Sequence, residues 1–393
     1  MVIAMSHAAL TSEQARWAAE TLDKLRGKMA WVSDKNREKI PYTTLPDGSY
    51  DNKLNPTHGW SHDDGPNWWT NGFWSGLMWL LYQDTGEPGY LHKARFAESH
   101  LEHCMETFYG LHHDVGFMFR LTSAVDFDLT ENRRAYHTAM HAASLLMGRF
   151  NPAGNFLRAW NDLPGHDTRG WVIIDSMFNL SLLYWAWEHS SDPRYKNVAV
   201  AHADTVRRAF VREDGSVCHV VEFDPETGRR LCSHAGQGYG HGSSWTRGQA
   251  WALYGFVISY LHTNKAEYLE TARKVADYCL RCMPENGIIP VDFRQPPQPA
   301  WEDSCAACIL ASGLIELSRQ LPEETGAVYL RSALHLLQSL CPSRTDWTRQ
   351  CDAIVQNCSA SYHDIRHHFP MSYADFFFAE ALYKLNGMEK TFW

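Results

Sequence analysis

Four times along the chain, a turn built from Gly, Asp, Asn or Lys is followed by Tyr, three residues and Ala. The instances are Tyr90-Leu-His-Lys-Ala94, Tyr195-Lys-Asn-Val-Ala199, Tyr268-Leu-Glu-Thr-Ala272 and Tyr329-Leu-Arg-Ser-Ala333. Tyr and Ala four apart lie on one helix face, so each instance marks the first turn of a helix docking on its predecessor. Before each marker stands a stretch that is apolar nearly all round: 69–82, 175–187, 245–256 and 303–317. Such a stretch predicts a buried inner helix, whereas the charged, amphipathic stretches that follow, such as 195–210, predict an outer layer. A fifth inner stretch, 372–385, closes the chain; 132–150 fits as a degenerate member of the repeat, and 12–31 opens it. About six inner/outer pairs predict an all-α fold, an (α/α)6 barrel with a cavity at one end. No Pro/Gly/Ser-rich linker interrupts the 393 residues, so a single domain over 1–393 is expected.

Other architectures find little support. β-signal is confined to 217–223 and 287–293, expected as short strands beside loops. No Gly-rich phosphate loop follows a strand, so dinucleotide-binding and P-loop readings have no support. With 36 Lys+Arg against 45 Asp+Glu and no basic runs, a nucleic-acid partner is not expected. No apolar run approaches the roughly 18 residues needed to span a bilayer, so no membrane partner is expected either. The first residues lack a basic region ahead of an apolar one, so no secretory signal is read and a cytoplasmic location is expected.

In the cytoplasm the ten cysteines should be reduced. Two C-x-x-C pairs, Cys279/Cys282 and Cys305/Cys308, have zinc-like spacing. Both fall in helical stretches without an adjacent Gly or Pro, which favours small buried packing residues over a metal site. The group His58, His62, Asp63 and Asp64 sits among Gly59, Gly65 and Pro66 and reads as a polar loop. No metal and no organic cofactor are expected.

The abnormal number is aromatic: Phe, Trp and Tyr make up 13% of the chain, with 16 Trp. Flat apolar faces with polar edges suit sugar rings. Polar residues gather in the loops that enter the inner helices. His112-His113-Asp114-Val-Gly precedes one apolar run, and Asp175 opens another. Asp175 is a good N-cap by type, and so is Asp303; the residues alone leave the cap and the chemical role of Asp175 equally open. Two carboxylates in an aromatic-lined cavity are what glycosidic-bond chemistry uses. A third block, 234–251, carries four glycines in seven residues, then Trp245, Arg247 and Trp251, with Gln237 ahead of them. Arg247, in the first turn of a helix, opposes the helix dipole and calls for an anion. Either a neighbouring carboxylate or a carboxylate on a ligand meets that need.

Six blocks, in order, resemble the unsaturated glucuronyl hydrolases of glycoside hydrolase family 88. They are Trp69-Thr-Asn-Gly-Phe-Trp-Ser-Gly76, His113-Asp114-x-Gly-Phe117, Ile174-Asp175-x-x-x-Asn179-Leu180, Ser244-Trp-Thr-Arg-Gly-Gln-Ala-Trp251 with Tyr254-Gly-Phe256, Asp303-Ser-x-Ala306, and Ser361-Tyr362-His363. The resemblance implies an (α/α)6-barrel glycosidase. Its substrates would be the unsaturated oligosaccharides left by polysaccharide lyases, from which it releases a 4,5-unsaturated uronic acid at the non-reducing end. It also implies hydration of the C4=C5 vinyl ether, with Asp175 as general acid/base, protonated at the start, and Asp114 as its charged neighbour. Trp69, His113, His219, Gln237, Trp251 and Tyr362 match substrate-binding positions, and Arg247 is assigned to an anionic group of the ligand. Competing readings are an unsaturated rhamnogalacturonyl hydrolase, a sugar epimerase on the same barrel using paired His bases, and a sugar-binding toroid without activity. Loss of the near-ultraviolet absorbance of the conjugated double bond separates the hydrolases from the last two.

Overall fold

The computed structural model describes residues 9–55, 65–108, 110–163 and 165–393. Helix α1 (Ser12–Lys35) begins at a reciprocal capping box between Thr11 and Gln14. The hairpins follow: α2 (Asn71–Thr85) with α3 (Pro88–Thr107), α7 (Ser176–Ser190) with α8 (Pro193–Phe210), α9 (Thr246–Thr263) with α10 (Ala266–Cys282), and α11 (Ser304–Arg319) with α12 (Glu323–Leu340). The last helix is α13 (Ser372–Leu385). Gly86, Ser191 and Asn264 stop three of the inner helices in the left-handed conformation, and the outer helix starts within three residues. That stop is the turn that precedes the first three Tyr markers, and it satisfies the last carbonyls of the inner helix. Ala94, Ala199, Ala272 and Ala333 are fully buried, so the marker face is the docking face.

The remaining pair is the one hidden from the repeat. The stretch 132–150 forms α6 (Arg133–Gly148), an outer helix. Its inner partner starts at α4 (Val115–Phe119), passes through a π-helical turn (Arg120–Ala124) and continues as α5 (Val125–Thr130). Glu131 stops it in the left-handed conformation, as Gly86 and Ser191 stop theirs.

The inner helices touch in a closed cycle, α2 to α4, α7, α9, α11, α13 and back to α2. Outside them lie α3, α6, α8, α10 and α12 in turn, and α1 packs on α13 to complete the outer layer. The fold is an (α/α)6 barrel. Because each inner helix returns through an outer one, the inner helices run in parallel and begin at the same end. Aromatic rings fill the axis, with Phe178 and Trp393 4.6 Å apart and Phe117 and Trp251 5.2 Å apart.

Strands decorate the end where the inner helices begin. β1 (Phe150–Asn151) pairs with β2 (Phe156–Leu157), and β3 (Trp171–Ile173), β4 (Val220–Phe223) and β5 (Arg230–His234) form an antiparallel sheet in that order. The expected strand at 217–223 is thus β4, shortened at its start. The expected strand at 287–293 does not form and leaves isolated bridges at Pro290 and Asp292. Pro290 has no N–H to give a ladder. The Asp292 carboxylate instead gathers the N–H groups of Tyr239, Ser244 and Arg294.

Cys279 and Cys282 lie on α10, and Cys305 and Cys308 on α11. Among the described residues these four thiols form no ligand cluster. The group His58, His62, Asp63 and Asp64 lies outside the described residues. Among the described residues, no helix is long and apolar enough to cross a membrane.

Candidate active site

Two loops deliver the central carboxylates. Asp114 immediately precedes α4 and Asp175 immediately precedes α7, and α4 packs on α7. Asn179, one turn into α7, locks the two together. Its Oδ1 accepts the Phe117 N–H at 2.7 Å, which fixes the amide so that Nδ2 donates to Asp114 Oδ1 at 2.9 Å. This closeness requires glycine at 116, since a Cβ there would stand 2.4 Å from Asn179. The Gly in the His113-Asp114-x-Gly block and the Asn in the Asp175-x-x-x-Asn block are therefore two halves of one contact.

The Asn179 amide also decides the state of His113. Its Nδ2 lies 3.2 Å from His113 Nδ1, so Nδ1 is the acceptor and Nε2 carries the hydrogen. That Nε2 lies 3.4 Å from Asp114 Oδ2. Burial holds the His113 imidazole well below its ordinary range, so the ring is neutral.

A second His–Asp pair repeats the pattern. The β3–β4 ladder ends with the Ile174 N–H donating to the His219 carbonyl at 3.0 Å, which sets Asp175 beside His219. His219 Nδ1 accepts the Gln237 backbone N–H at 2.9 Å, so Nε2 again carries the hydrogen and lies 3.6 Å from Asp175 Oδ2. Gly236, at φ 58°, permits this: a Cβ there would fall 1.9 Å from His219 Nδ1. The buried atoms Asp175 Oδ2 and His219 Nε2 have no hydrogen-bond partner.

Asp175 sits at the N-cap position of α7, yet its side chain caps nothing. The cap role that its residue type suggested is absent, which leaves the carboxylate available. Asp303 differs: it accepts the Cys305 N–H at 3.2 Å and is a true cap. Asp114 is the carboxyl held away from its ordinary state. Burial raises it to about 8, the Asp175 charge adds to the rise, and the Asn179 hydrogen bond opposes it. At neutral pH the Asp114 carboxyl therefore holds a proton.

Arg247 corrects another expectation. Its side chain is 1% exposed and its Nη1 lies 2.8 Å from Asp303 Oδ2. Nη1 and Nη2 also donate to the carbonyls of Ser359 and Ala360. The anion that pairs with Arg247 in this structure is a protein carboxylate, and Nη1 and Nη2 make the guanidinium a buried strut between α9, α11 and the 359–362 loop, while its Nε has no hydrogen-bond partner. Gln237 also spends its amide nitrogen inside the protein, on the Ala360 carbonyl at 2.7 Å, while its own carbonyl accepts the Tyr362 N–H.

The aromatic positions divide. Trp69 is partly exposed and rests on Tyr373 and Phe117 with ring centres 5.1 and 5.7 Å away. Trp251 is fully buried against Phe117, Phe178 and Phe377, so it offers no stacking face; its indole N–H has no partner. Tyr362 lies edge-on to Tyr239, 4.9 Å away, and is 7% exposed. Sequence reasoning quoted Asn179 in a motif but gave it no role. The signal was its spacing of four from Asp175, one turn along the same helix face.

Residues 33–346 match the model of Glycosyl Hydrolase Family 88. An unsaturated glucuronyl hydrolase of Bacillus sp. strain GL1 is 39% identical over 257 residues, 65% of this chain and 68% of that protein. An unsaturated chondroitin disaccharide hydrolase of Streptococcus agalactiae serotype III is 34% identical over 263 residues, 65% of this chain and 64% of that one. Among solved structures, the Bacillus sp. GL1 unsaturated glucuronyl hydrolase, described as responsible for glycosaminoglycan degradation, superposes with a TM-score of 0.86. It is 30% identical, with 95% of this chain and 97% of that one covered.

Proposed function

Since this chain belongs to glycoside hydrolase family 88 and is a glycosidase, we propose that it removes a 4,5-unsaturated uronic acid from the non-reducing end of glycosaminoglycan fragments made by polysaccharide lyases. The relatives named above support that substrate class. The observation that carries the chemistry is the buried Asp114–Asp175 pair, in which one carboxyl is raised to about 8 and the other keeps an oxygen without a hydrogen bond. Such a pair holds one proton near neutral pH and has a lone pair ready to receive another.

The vinyl ether of the substrate uses both. A proton adds to C4, and positive charge develops at C5 and the ring oxygen. Water adds at C5 and gives up a proton, which replaces the one delivered to C4. The hemiketal then opens, the glycosidic oxygen leaves with its proton, and no covalent sugar–enzyme bond forms. Asp175 is the general acid/base in this reading. It takes its proton from the shared site, and His219 Nε2–H steadies it when ionised. Asp114, tied to Asn179, holds its proton at neutral pH and binds ring hydroxyls. The raised Asp114 favours one alternative division of labour, in which Asp114 protonates C4 and Asp175 deprotonates the water.

Trp69 is the stacking face in this reading and Tyr362 an edge contact, while Gln237 orients His219 through the backbone. The chain 1–393 acts as one catalytic unit. All ten cysteines are free thiols, which supports a cytoplasmic location. The test is a panel of lyase-generated disaccharides, with and without sulfate, and with a rhamnogalacturonan-derived member. The glycosaminoglycan members should lose their near-ultraviolet absorbance, and saturated glucuronides should be untouched. Equal cleavage of saturated glucuronides, or full activity confined to the rhamnogalacturonan member, overturns the proposal.

A further inference from the structure

The sheet that carries His219 holds a second cluster on its partly exposed face. Glu222 on β4 is the direct cross-strand partner of Cys232 on β5, and His234 lies two residues further on the same face. The three side chains converge on one point. Cys232 Sγ lies 3.4 Å from Glu222 Oε2 and 3.5 Å from His234 Nε2, and His234 Nε2 lies 2.8 Å from Glu222 Oε2. Trp171, the cross-strand neighbour of Glu222 on the other side, stacks on the His234 ring with centres 4.9 Å apart and planes 29° apart.

The arrangement does not suit a nucleophilic triad. There the carboxylate holds one ring nitrogen and the thiol uses the other, whereas here both approach Nε2. The thiol is also not activated: partial burial and the Glu222 carboxylate push it above its ordinary range. Three electron-pair donors meeting around one point suit a cation. A tetrahedral zinc ion with ordinary bond lengths sets its nitrogen and oxygen ligands about 3.4 Å apart, and its sulfur about 3.6 Å from each. The two sulfur distances already agree with those edges to within about 0.2 Å, and the N···O distance needs to open by about half an ångström.

We propose that Glu222, Cys232 and His234 form a zinc-binding site, with one thiolate, one imidazole and one carboxylate as ligands and a fourth position open to water. Zinc displaces the thiol proton, while the hydrogen at His234 Nε2 moves to Nδ1 so that the neutral ring can ligate through Nε2; binding therefore releases a proton and weakens as pH falls. The Trp171 stack fixes the imidazole plane in place of an outer hydrogen bond. The site is separate from the carboxylate pair but lies on the β4–β5 hairpin, whose ends lead to His219 on one side and Gln237 on the other. Bound zinc therefore clamps the hairpin that orients the Asp175–His219 pair.

The paired cysteines on α10 and α11 take no part in this cluster. Sequence spacing drew attention to them, whereas the ligands here come from two strands and only their register brings them together.

The experiment uses chelator-treated full-length protein, titrated with Zn2+ in competition with a chromophoric chelator, and separately with Co2+. One equivalent of zinc should bind. Cobalt should give an intense sulfur-to-metal charge-transfer band with the visible bands of a tetrahedral site. Glu222→Gln, Cys232→Ser and His234→Ala should each weaken zinc binding at least tenfold, and Cys232→Ser should abolish the charge-transfer band. The melting temperature of the wild type should rise with zinc and that of each variant should not. Circular dichroism of each variant without metal shows whether it is folded; if one is not, the cobalt spectrum of the wild type still decides the point. Zinc binding unchanged in the folded variants, a cobalt spectrum without the sulfur band, or no stoichiometric binding overturns the proposal. None of these readouts depends on which glycoside the enzyme cleaves.

Discussion

Where the inner helices finish, Lys384 is fully buried and gives its ammonium to Tyr254 Oη, the Ser312 hydroxyl and the Ser312 carbonyl, within 3.4 Å of Glu380. Glu380 accepts in turn from Tyr254, Ser312 and the Trp393 indole. Where the inner helices begin, Asp175 Oδ2, His113 Nε2, His219 Nε2 and the Trp251 indole nitrogen are buried without a hydrogen-bond partner. The two clusters bury similar chemistry, and the Lys384–Glu380 cluster completes its hydrogen bonds while the carboxylate cluster does not. A completed network fixes the packing of α9, α11 and α13. An uncompleted one costs stability on its own and regains it when a polar ligand arrives, which is how a binding site differs from a core.

The largest effects should therefore fall on opposite properties. Asp175→Asn should reduce turnover by about 10²–10⁴-fold or more. Its melting temperature should stay close to that of the wild type, because the side chain caps no backbone group. Lys384→Met strands the Glu380 carboxylate and should cost about 3–5 kcal/mol of stability. Its turnover at temperatures well below melting should be unchanged. Denaturant titration and steady-state rates on both variants test the crossing pattern; a variant that loses both properties equally breaks the comparison.

Asp114→Asn sharpens it. A carboxyl raised to about 8 in the folded protein, against an ordinary value near 4, binds a proton more tightly folded than unfolded. Its contribution is fully present below about pH 4 and is lost as pH rises through about 8. Wild-type stability should fall across that window, and the Asn variant, which cannot ionise, should lose that part of the slope. Melting curves at a series of pH values show it. The smallest effect is Gln237→Ala, which removes one hydrogen bond to the Ala360 carbonyl and should cost about 0.5–1.5 kcal/mol. It should affect KM more than kcat, since the backbone N–H that orients His219 is retained.

The closed end and most of the ring were legible in the sequence, because helical periodicity and the Tyr-x-x-x-Ala docking face are local signals. The helix 115–130 was not, because its π-helical turn interrupts the period that marks a helix. At the site, Asp114 and Asp175 lie in motifs that could be read in order along the chain, and His219 was named only as a further position matching the family. The Arg247–Asp303 strut could not be read: the two are 56 residues apart, and a buried Arg in a first turn looks the same whether its anion is a ligand or a neighbour. The depth of Trp251 could not be read for a similar reason, since an indole on an inner helix reads alike whether it lines the cavity or packs below it.

The most direct test of the shared proton is the pH dependence of kcat/KM for the wild type on a lyase-generated unsaturated disaccharide, since this ratio reports groups of the free enzyme. The reaction needs the proton held by the carboxylate pair, so the rate should fall as pH rises through about 8, the value to which burial and the Asp175 charge lift Asp114. A rate that stays level well above pH 8, or an unsaturated substrate whose absorbance persists at every pH, contradicts the account.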